Sequence, residues 1–223
     1  MATAPPTAED HWRRLQAWVP DPETRFLVRP TTPETIVRNA VAPDAAAVAS
    51  IGKVAVPATY KDLIDDAAVL EAIVEQSYAL DPLRECIARS ARAVDAHFLV
   101  AERDGQIVGF LHYDCEGREP ELHRIYVEPT QKRRGIGRAL LQELHRRLAS
   151  GDSYILMVVA ANQPAVAFYE RHGFVEAARV DGVAYMRERM GVEFAAGAPH
   201  VPALILRFTK QHKAAGPRDR RRR

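Results

Sequence analysis

The sequence predicts an α+β (mixed α/β) domain, with a mixed, mostly antiparallel central sheet flanked by helices. Three observations predict it. Residues 97–102 and 106–113 are two β-rich runs joined by Arg103-Asp104-Gly105, a strong hairpin turn. The apolar period then changes across a glycine-bearing loop: Glu121–Val127 reads as a strand, while Ile136, Leu140, Leu141, Leu144 and Leu148 recur at helical spacing. Finally, residues 154–159 form an apolar run that reads as a buried strand. It should lie parallel to the Glu121 strand, because a helix joins the two.

The remaining elements follow in order. Residues 35–41 read as the first strand, and Asp44 is placed to cap a helix reaching about Val54. Residues 61–78 read as a second helix or a broken pair, and Asp81-Pro82 opens a third that ends near Ala93. Gly109 inside its strand implies close approach by a neighbour or ligand. Asn162 is a good helix cap, Pro164 suits the first turn, and Gly173 suits the stop. Residues 175–180 read as a strand, Asp181-Gly182 as a turn, residues 184–197 as a loop or strand edge, and residues 201–209 as the last strand.

The 223 residues are enough for one domain with tails. Residues 1–34 are expected to be an N-terminal extension, partly disordered or packed on the domain through Trp12, Leu15 and Trp18. Residues 35–209 are expected to be the domain, and residues 210–223 a disordered basic tail. That tail carries seven Lys/Arg against one Asp, so the rest of the chain is mildly acidic and the overall net charge of +2 reflects the tail. This argues against a specific nucleic-acid substrate. No apolar run is long enough to span a membrane, and the start lacks a secretory pattern. Cys86 and Cys115 have no paired spacing, which suggests free thiols in a reducing, cytoplasmic setting. The eight scattered histidines give no metal-ligand spacing.

The loop Gln131-Lys132-Arg133-Arg134-Gly135-Ile136-Gly137-Arg138 opens a helix. The first turn of a helix has N–H groups with no partner in the helix. Glycines there let an anion approach those donors, and the cations add attraction, so the loop suits a phosphate. It is not a nucleotide P-loop, because Arg138-Ala139 follows Gly137 where Lys-Ser/Thr is needed. It is not a dinucleotide fingerprint, because Leu140 stands where a third glycine is needed. It resembles the acyl-CoA pyrophosphate loop Arg/Gln-x-x-Gly-x-Gly/Ala of the GCN5-related N-acetyltransferase (GNAT) family. Lys132 departs from that pattern's first position, keeping the charge but losing the planar fork. A second motif, Asn162-x-x-Ala165-x-x-Phe168-Tyr169-x-x-x-Gly173-Phe174, matches every fixed position of the same family's Asn-x-x-Ala-x-x-Phe-Tyr-x-x-x-Gly-Phe. The resemblance covers about residues 35–209.

The resemblance implies the GNAT acyl-CoA N-acyltransferase fold, with the strands before and after the glycine-led helix splayed to admit a thioester arm. It implies acetyl-CoA as co-substrate and no metal. The cofactor-binding residues are then the backbone of Ile125, Tyr126 and Val127, the loop residues Lys132, Arg133, Arg134, Gly135, Ile136, Gly137 and Arg138, and Asn162 and Phe168. Tyr169 stands at the family's proton donor to the leaving sulfur. Glu121, fourteen residues before Gly135, matches the strand glutamate of the histone-acetylating branch. His123, two residues on, is the alternative base. The helical insert before the hairpin is where the family builds part of its acceptor site, which makes Tyr60, Asp62, Asp65, Asp66, Glu71, Glu75 and Tyr78 candidates there.

Acetyl transfer needs a neutral amine, a polarised carbonyl and a stabilised thiolate. A lysine-like amine with pKa near 10.4 costs about 4.6 kcal/mol to deprotonate at pH 7. Backbone N–H groups of residues 125–127 would polarise the carbonyl. The implied activity is acetyl-CoA-dependent N-acetyl transfer, direct, to a small-molecule amine or polyamine, with a protein or peptide acceptor as the alternative. A catalytically inactive acyl-CoA-binding or sensing domain is a reading of another class, as is an interaction protein acting through its tail and tryptophan segment. A homodimer is compatible with the sequence.

Overall fold

The computed structural model describes residues 34–115 and 119–211. The Trp12/Trp18 segment, residues 116–118 and the tail beyond Gln211 lie outside the described residues. Seven strands form one sheet in the order β1-β2-β3-β4-β5-β7-β6. They are β1 (Ile36–Asn39), β2 (His97–Arg103), β3 (Gln106–Asp114), β4 (Glu121–Val127), β5 (Ser153–Val159), β6 (Val175–Asp181) and β7 (Pro202–Thr209). All neighbours are antiparallel except β4 and β5, which are parallel. The hairpin turn forms as its sequence requires, with Asp104 and Gly105 both at positive φ (50° and 73°).

Helices cover both faces. One face carries α1 (Ala45–Tyr60), α2 (Ala67–Ser77) and α3 (Leu80–Ser90), which bury Val48, Val56, Ile73, Leu83 and Ile87 against Phe98, Val100 and Phe110. The other face carries α4 (Ile136–Arg147) and α5 (Gln163–Arg171), which bury Ile136, Leu140, Leu144 and Val166 against Leu99, Leu111, Tyr154 and Leu156. The alternation of each strand supplies both layers, since successive side chains point to opposite faces. A Cβ on Gly109 would come within 3.0 Å of the Tyr126 carbonyl and 3.1 Å of the Ile136 side chain. The neighbour implied by that glycine is therefore β4 and the start of α4.

Four readings need correction. Asp44 does not cap α1 with its side chain. Its carboxylate takes the Arg38 guanidinium (2.7 and 3.1 Å) and the Val41 N–H (2.8 Å) instead. α1 runs past Val54 to Tyr60 despite Pro57. Proline in the last turn forfeits only one helical bond, and burial of Ala55 and Val56 outweighs it. Asp181-Gly182 is not a turn: the Asp181 side chain accepts from Val183 N–H (2.9 Å) and starts a sixth helix, α6 (Gly182–Met190). Lys210, read as the first residue of the tail, donates from Nζ to the carbonyls of His145 (2.7 Å) and Leu148 (2.5 Å). A cation there satisfies end carbonyls of α4 and faces the negative end of its dipole.

One half-buried and one buried imidazole give the fold an acid limit. His145 stacks on Phe208 at 3.9 Å and bonds the Tyr154 hydroxyl (2.8 Å). Burial, then the cations His172 and Lys210, push its pKa down to about 4. Burial likewise pushes His112 down to about 4 against the pull of Asp114. In the unfolded chain both titrate near 6.5. Between those values the unfolded chain binds protons that the folded chain refuses. Stability from these groups is therefore full above pH 6.5 and is lost as pH falls toward 4. The thermal midpoint should drop between pH 7 and pH 4.5, and His145→Gln should flatten that slope, as read by circular dichroism.

Candidate active site

The site begins where a ladder ends. β4 and β5 pair only at Glu121↔Ile155, with Ile155 N–H on the Pro120 carbonyl (2.9 Å). Beyond that bridge β5 pairs with β7 along its whole length and leaves β4 with one open edge. Glu128 N–H donates to the Val108 carbonyl (2.9 Å). By the alternation of an antiparallel ladder, Tyr126 also turns its backbone toward β3, while Ile125 and Val127 turn theirs toward the gap. A cleft of about 700 Å³ fills that gap, walled by residues 122–127, by Met157 and Val158 of β5, and by Asn162, Phe168 and Tyr169.

The mouth of the cleft is the start of α4. Gly135 occupies its N-cap position at φ 81°, with no side-chain cap bond, and a Cβ there would meet nothing within 4 Å. The first-turn amides of a 12-residue helix thus face open space. Lys132, Arg133 and Arg138 line the same mouth, joined by Arg171 and His172 from α5. The arrangement fits a diphosphate in both charge and donors.

α5 closes the far side. The buried Asn162 caps it, accepting from Ala165 N–H (3.3 Å). The Tyr60 hydroxyl lies close to the Asn162 side chain and to the Tyr126 hydroxyl. Tyr169 packs edge-on against Phe168 (5.3 Å) and Phe174 (5.4 Å). Burial raises its pKa well above 10. The phenol therefore stays protonated at any working pH and is available as a hydrogen-bond donor.

A second, smaller cavity of about 70 Å³ lies behind the cleft, between β4, α2 and α6. Tyr60, His123, Arg124, Tyr126 and Met157 line both. Between β3 and β4 the register slips: Tyr113 faces Leu122 and His112 faces Arg124, so His123 is an extra, bulged residue. Its Nε2 lies 3.0 Å from Asp114 Oδ1, and its Nδ1 lies 3.7 Å from Glu121 Oε1. Asp114 also takes His112 Nε2 (3.2 Å). Despite burial, the two imidazoles hold its carboxyl far below the usual carboxylate range. Among the described residues no group of histidine, cysteine, aspartate and glutamate is placed to hold a metal ion.

Comparison with known proteins gives the domain its family. Residues 94–176 match the family model described as Acetyltransferase (GNAT) domain. The chain carries a GNAT domain. The peptidyl-lysine N-acetyltransferase YiaC of Escherichia coli (strain K12) is 40% identical over 93 residues, which are 41% of this chain and 60% of that protein. The spermidine N(1)-acetyltransferase of Thermoplasma acidophilum is 27% identical over 122 residues, 54% of this chain and 75% of that protein. This chain thus spans less than two thirds of YiaC's length. The crystal structure of the PaiA N-acetyltransferase of Thermoplasma acidophilum in complex with coenzyme A superposes with a TM-score of 0.61 at 21% identity, covering 80% of this chain and 99% of that one. At that identity the likeness establishes the GNAT fold.

Within the GNAT domain most residues named from sequence converge on the cleft. Tyr169, His123, Ile125, Tyr126, Val127, Lys132, Arg133, Gly135, Ile136, Gly137, Arg138, Asn162 and Phe168 all line it. Arg134 and Glu121 do not. Glu121 is 2% exposed, and its Oε2 accepts two bonds from Arg189 of α6 (3.2 and 3.0 Å). It is the anchor of α6 rather than a group facing the cleft. Of the insert residues, Tyr60 and Tyr78 line the smaller cavity, whereas Asp62, Asp65, Glu71 and Glu75 are exposed and Asp66 caps α2. Sequence reasoning missed Arg124, Asp114, Met157 and Arg189. The strand pattern of Asp114 and Arg124 was visible, but the bulge that brings His123 to Asp114 was not.

Removing the Glu121 carboxylate leaves Arg189, itself mostly buried, without its counter-charge. Loss of one partner of a buried pair costs about 3 kcal/mol. Glu121→Ala should lower the unfolding free energy by about that amount in urea titration.

Proposed function

We propose that this chain is an N-acetyltransferase that moves the acetyl group of acetyl-CoA directly to a small primary amine within one ternary complex. The observation that carries the reading is the continuity of the cleft. It runs from uncapped, cation-rimmed amides at Gly135, past the open edge of β4, to the Tyr169 phenol, and there meets a second cavity at His123. The family match and the relatives named as N-acetyltransferases support it.

Each step then has a group. The amides and cations of residues 132–138 hold the diphosphate. The N–H groups of Ile125 and Val127 face the gap where the thioester carbonyl would lie, and they stabilise its developing negative charge. His123 takes the proton of the attacking ammonium, directly or through one water. Asp114 fixes the ring by accepting from Nε2, which leaves Nδ1 as the basic nitrogen. The N–C bond forms, the C–S bond breaks, and the departing thiolate accepts a hydrogen bond from Tyr169. A phenol raised above pKa 10 faces a thiol near 8.5, so full proton transfer is uphill by at least about 2 kcal/mol. The hydrogen bond alone suffices to stabilise the sulfur.

Among the described lining residues of the smaller cavity none is acidic. This favours a small amine with an apolar body over a polyamine, whose further ammonium groups would need carboxylates. The cavity's small volume disfavours a folded protein acceptor.

Purified protein with acetyl-CoA should release free thiol only when an amine is present. Thiol release independent of amine, or none with any amine in a broad panel, would remove the reading. Tyr169→Phe should lower turnover at least tenfold while acetyl-CoA affinity, read by calorimetry, changes little. His123→Gln should lower kcat by roughly 10² or more, within the span of general-base contributions. Asp114→Asn should reduce kcat less, because it acts through the ring.

A further inference from the structure

The smaller cavity is lined by one arginine, and among the described residues no carboxylate pairs with it. Arg124 lines both cavities. Its Nη1 donates to the Ser77 carbonyl (2.9 Å), and its guanidinium lies over the Tyr78 ring (5.4 Å to the centroid). Its Nε is buried and bonded to nothing, and no carboxylate pairs with it among the described residues. The other cavity-facing arginine-sized charges of the domain are rim residues of the cleft mouth in open solvent. A guanidinium has five donors in a planar fork that matches a carboxylate. A charge kept largely from water without a counter-ion is costly, and a ligand that supplies the counter-ion recovers that cost.

The surroundings narrow the ligand further. The hydroxyls of Tyr60, Tyr78 and Tyr126 all have pKa values raised by burial and stay neutral. The remaining wall is apolar, formed by Ile64, Val69 and Ile73 below and by Val183, Met186 and Met190 of α6 above. The β4 bulge sets His123 and Arg124 side by side on this cavity, although they are consecutive in a strand. A base and a carboxylate fork on neighbouring residues match an amine and a carboxylate on neighbouring atoms.

We infer that the acceptor is an α-amino acid with an aliphatic or thioether side chain, its carboxylate held by Arg124 and its side chain by the apolar wall. The inference rests on the acetyl-transfer reading above. In the reaction one ammonium proton goes to His123, the N–C bond to the acetyl carbon forms as the C–S bond breaks, the second nitrogen proton passes through water to the thiolate, and free thiol and an N-acetyl amino acid leave.

The test compares L-leucine and L-methionine with L-leucinamide and spermidine, using the full chain, saturating acetyl-CoA, thiol release, and mass detection of the acetylated product. The free amino acids should exceed the amide at least tenfold in kcat/KM. In Arg124→Gln the ratio of acid to amide should fall to about one. Should that variant not fold, calorimetry on the unaltered protein decides instead: N-acetyl-L-leucine should bind at least tenfold more tightly than its N-methylamide. Equal rates for acid and amide, or turnover of spermidine alone, would overturn the inference and leave acetyl transfer standing. No thiol release with any amine would overturn both.

Discussion

A backbone donor that loses its ladder partner must find another or stay open, and β4 loses its partners along one edge after Glu121. Everything at the site follows from that break. β5 pairs with β7 on its opposite edge and meets β4 only at Ile155, so the facing edges of β4 and β5 both stay open beyond that point. On the other edge β4 is held tightly: the Gly109 backbone sits against Tyr126, and Ile136 packs over both. The open edge is thus rigid as well as unsatisfied, which is the condition for binding a ligand without first paying to order the site.

Charge is sorted along the same axis. The mouth gathers cations that remain in solvent, where they attract an anion at little desolvation cost. The middle is lined by neutral phenols and amides. The inner end holds a single arginine beside an imidazole pinned by Asp114. Asp114 and Glu121 face each other across β3 and β4, yet each carboxylate has its own cationic or imidazole partners. That pairing lets two acids sit close together in a mostly buried layer without repelling the fold apart.

The parts legible in the sequence were those with local causes. The loop of residues 131–138 and the Asn162–Phe174 motif announce themselves through glycine, caps and spacing, and every strand was found within a residue or two. What escaped depended on distance or on competition. α6 was hidden because Asp181-Gly182 serves equally as a turn or as a cap, and only burial of Val183 selects the helix. The role of Glu121 depends on Arg189, 68 residues away, which no spacing rule connects. The face of His123 depends on a bulge, and a one-residue slip redirects every side chain after it. Arg124 read as an ordinary strand cation until three tyrosines and an apolar wall were seen around it.

The helix that walls the inner cavity, α6, enters after β6 and leaves before β7, and its described link to the sheet's start is the Arg189–Glu121 pair. The pieces proposed to grip the donor come from β4, α4 and α5, and β4 meets α6 through that pair. The apolar wall proposed to meet the acceptor's side chain and the loop proposed to hold the donor's diphosphate are therefore carried on separable stretches of chain. Exchange of residues 182–200 alone, with position 189 kept as arginine, is a route by which such a scaffold could acquire a new clientele while its coenzyme machinery stays intact.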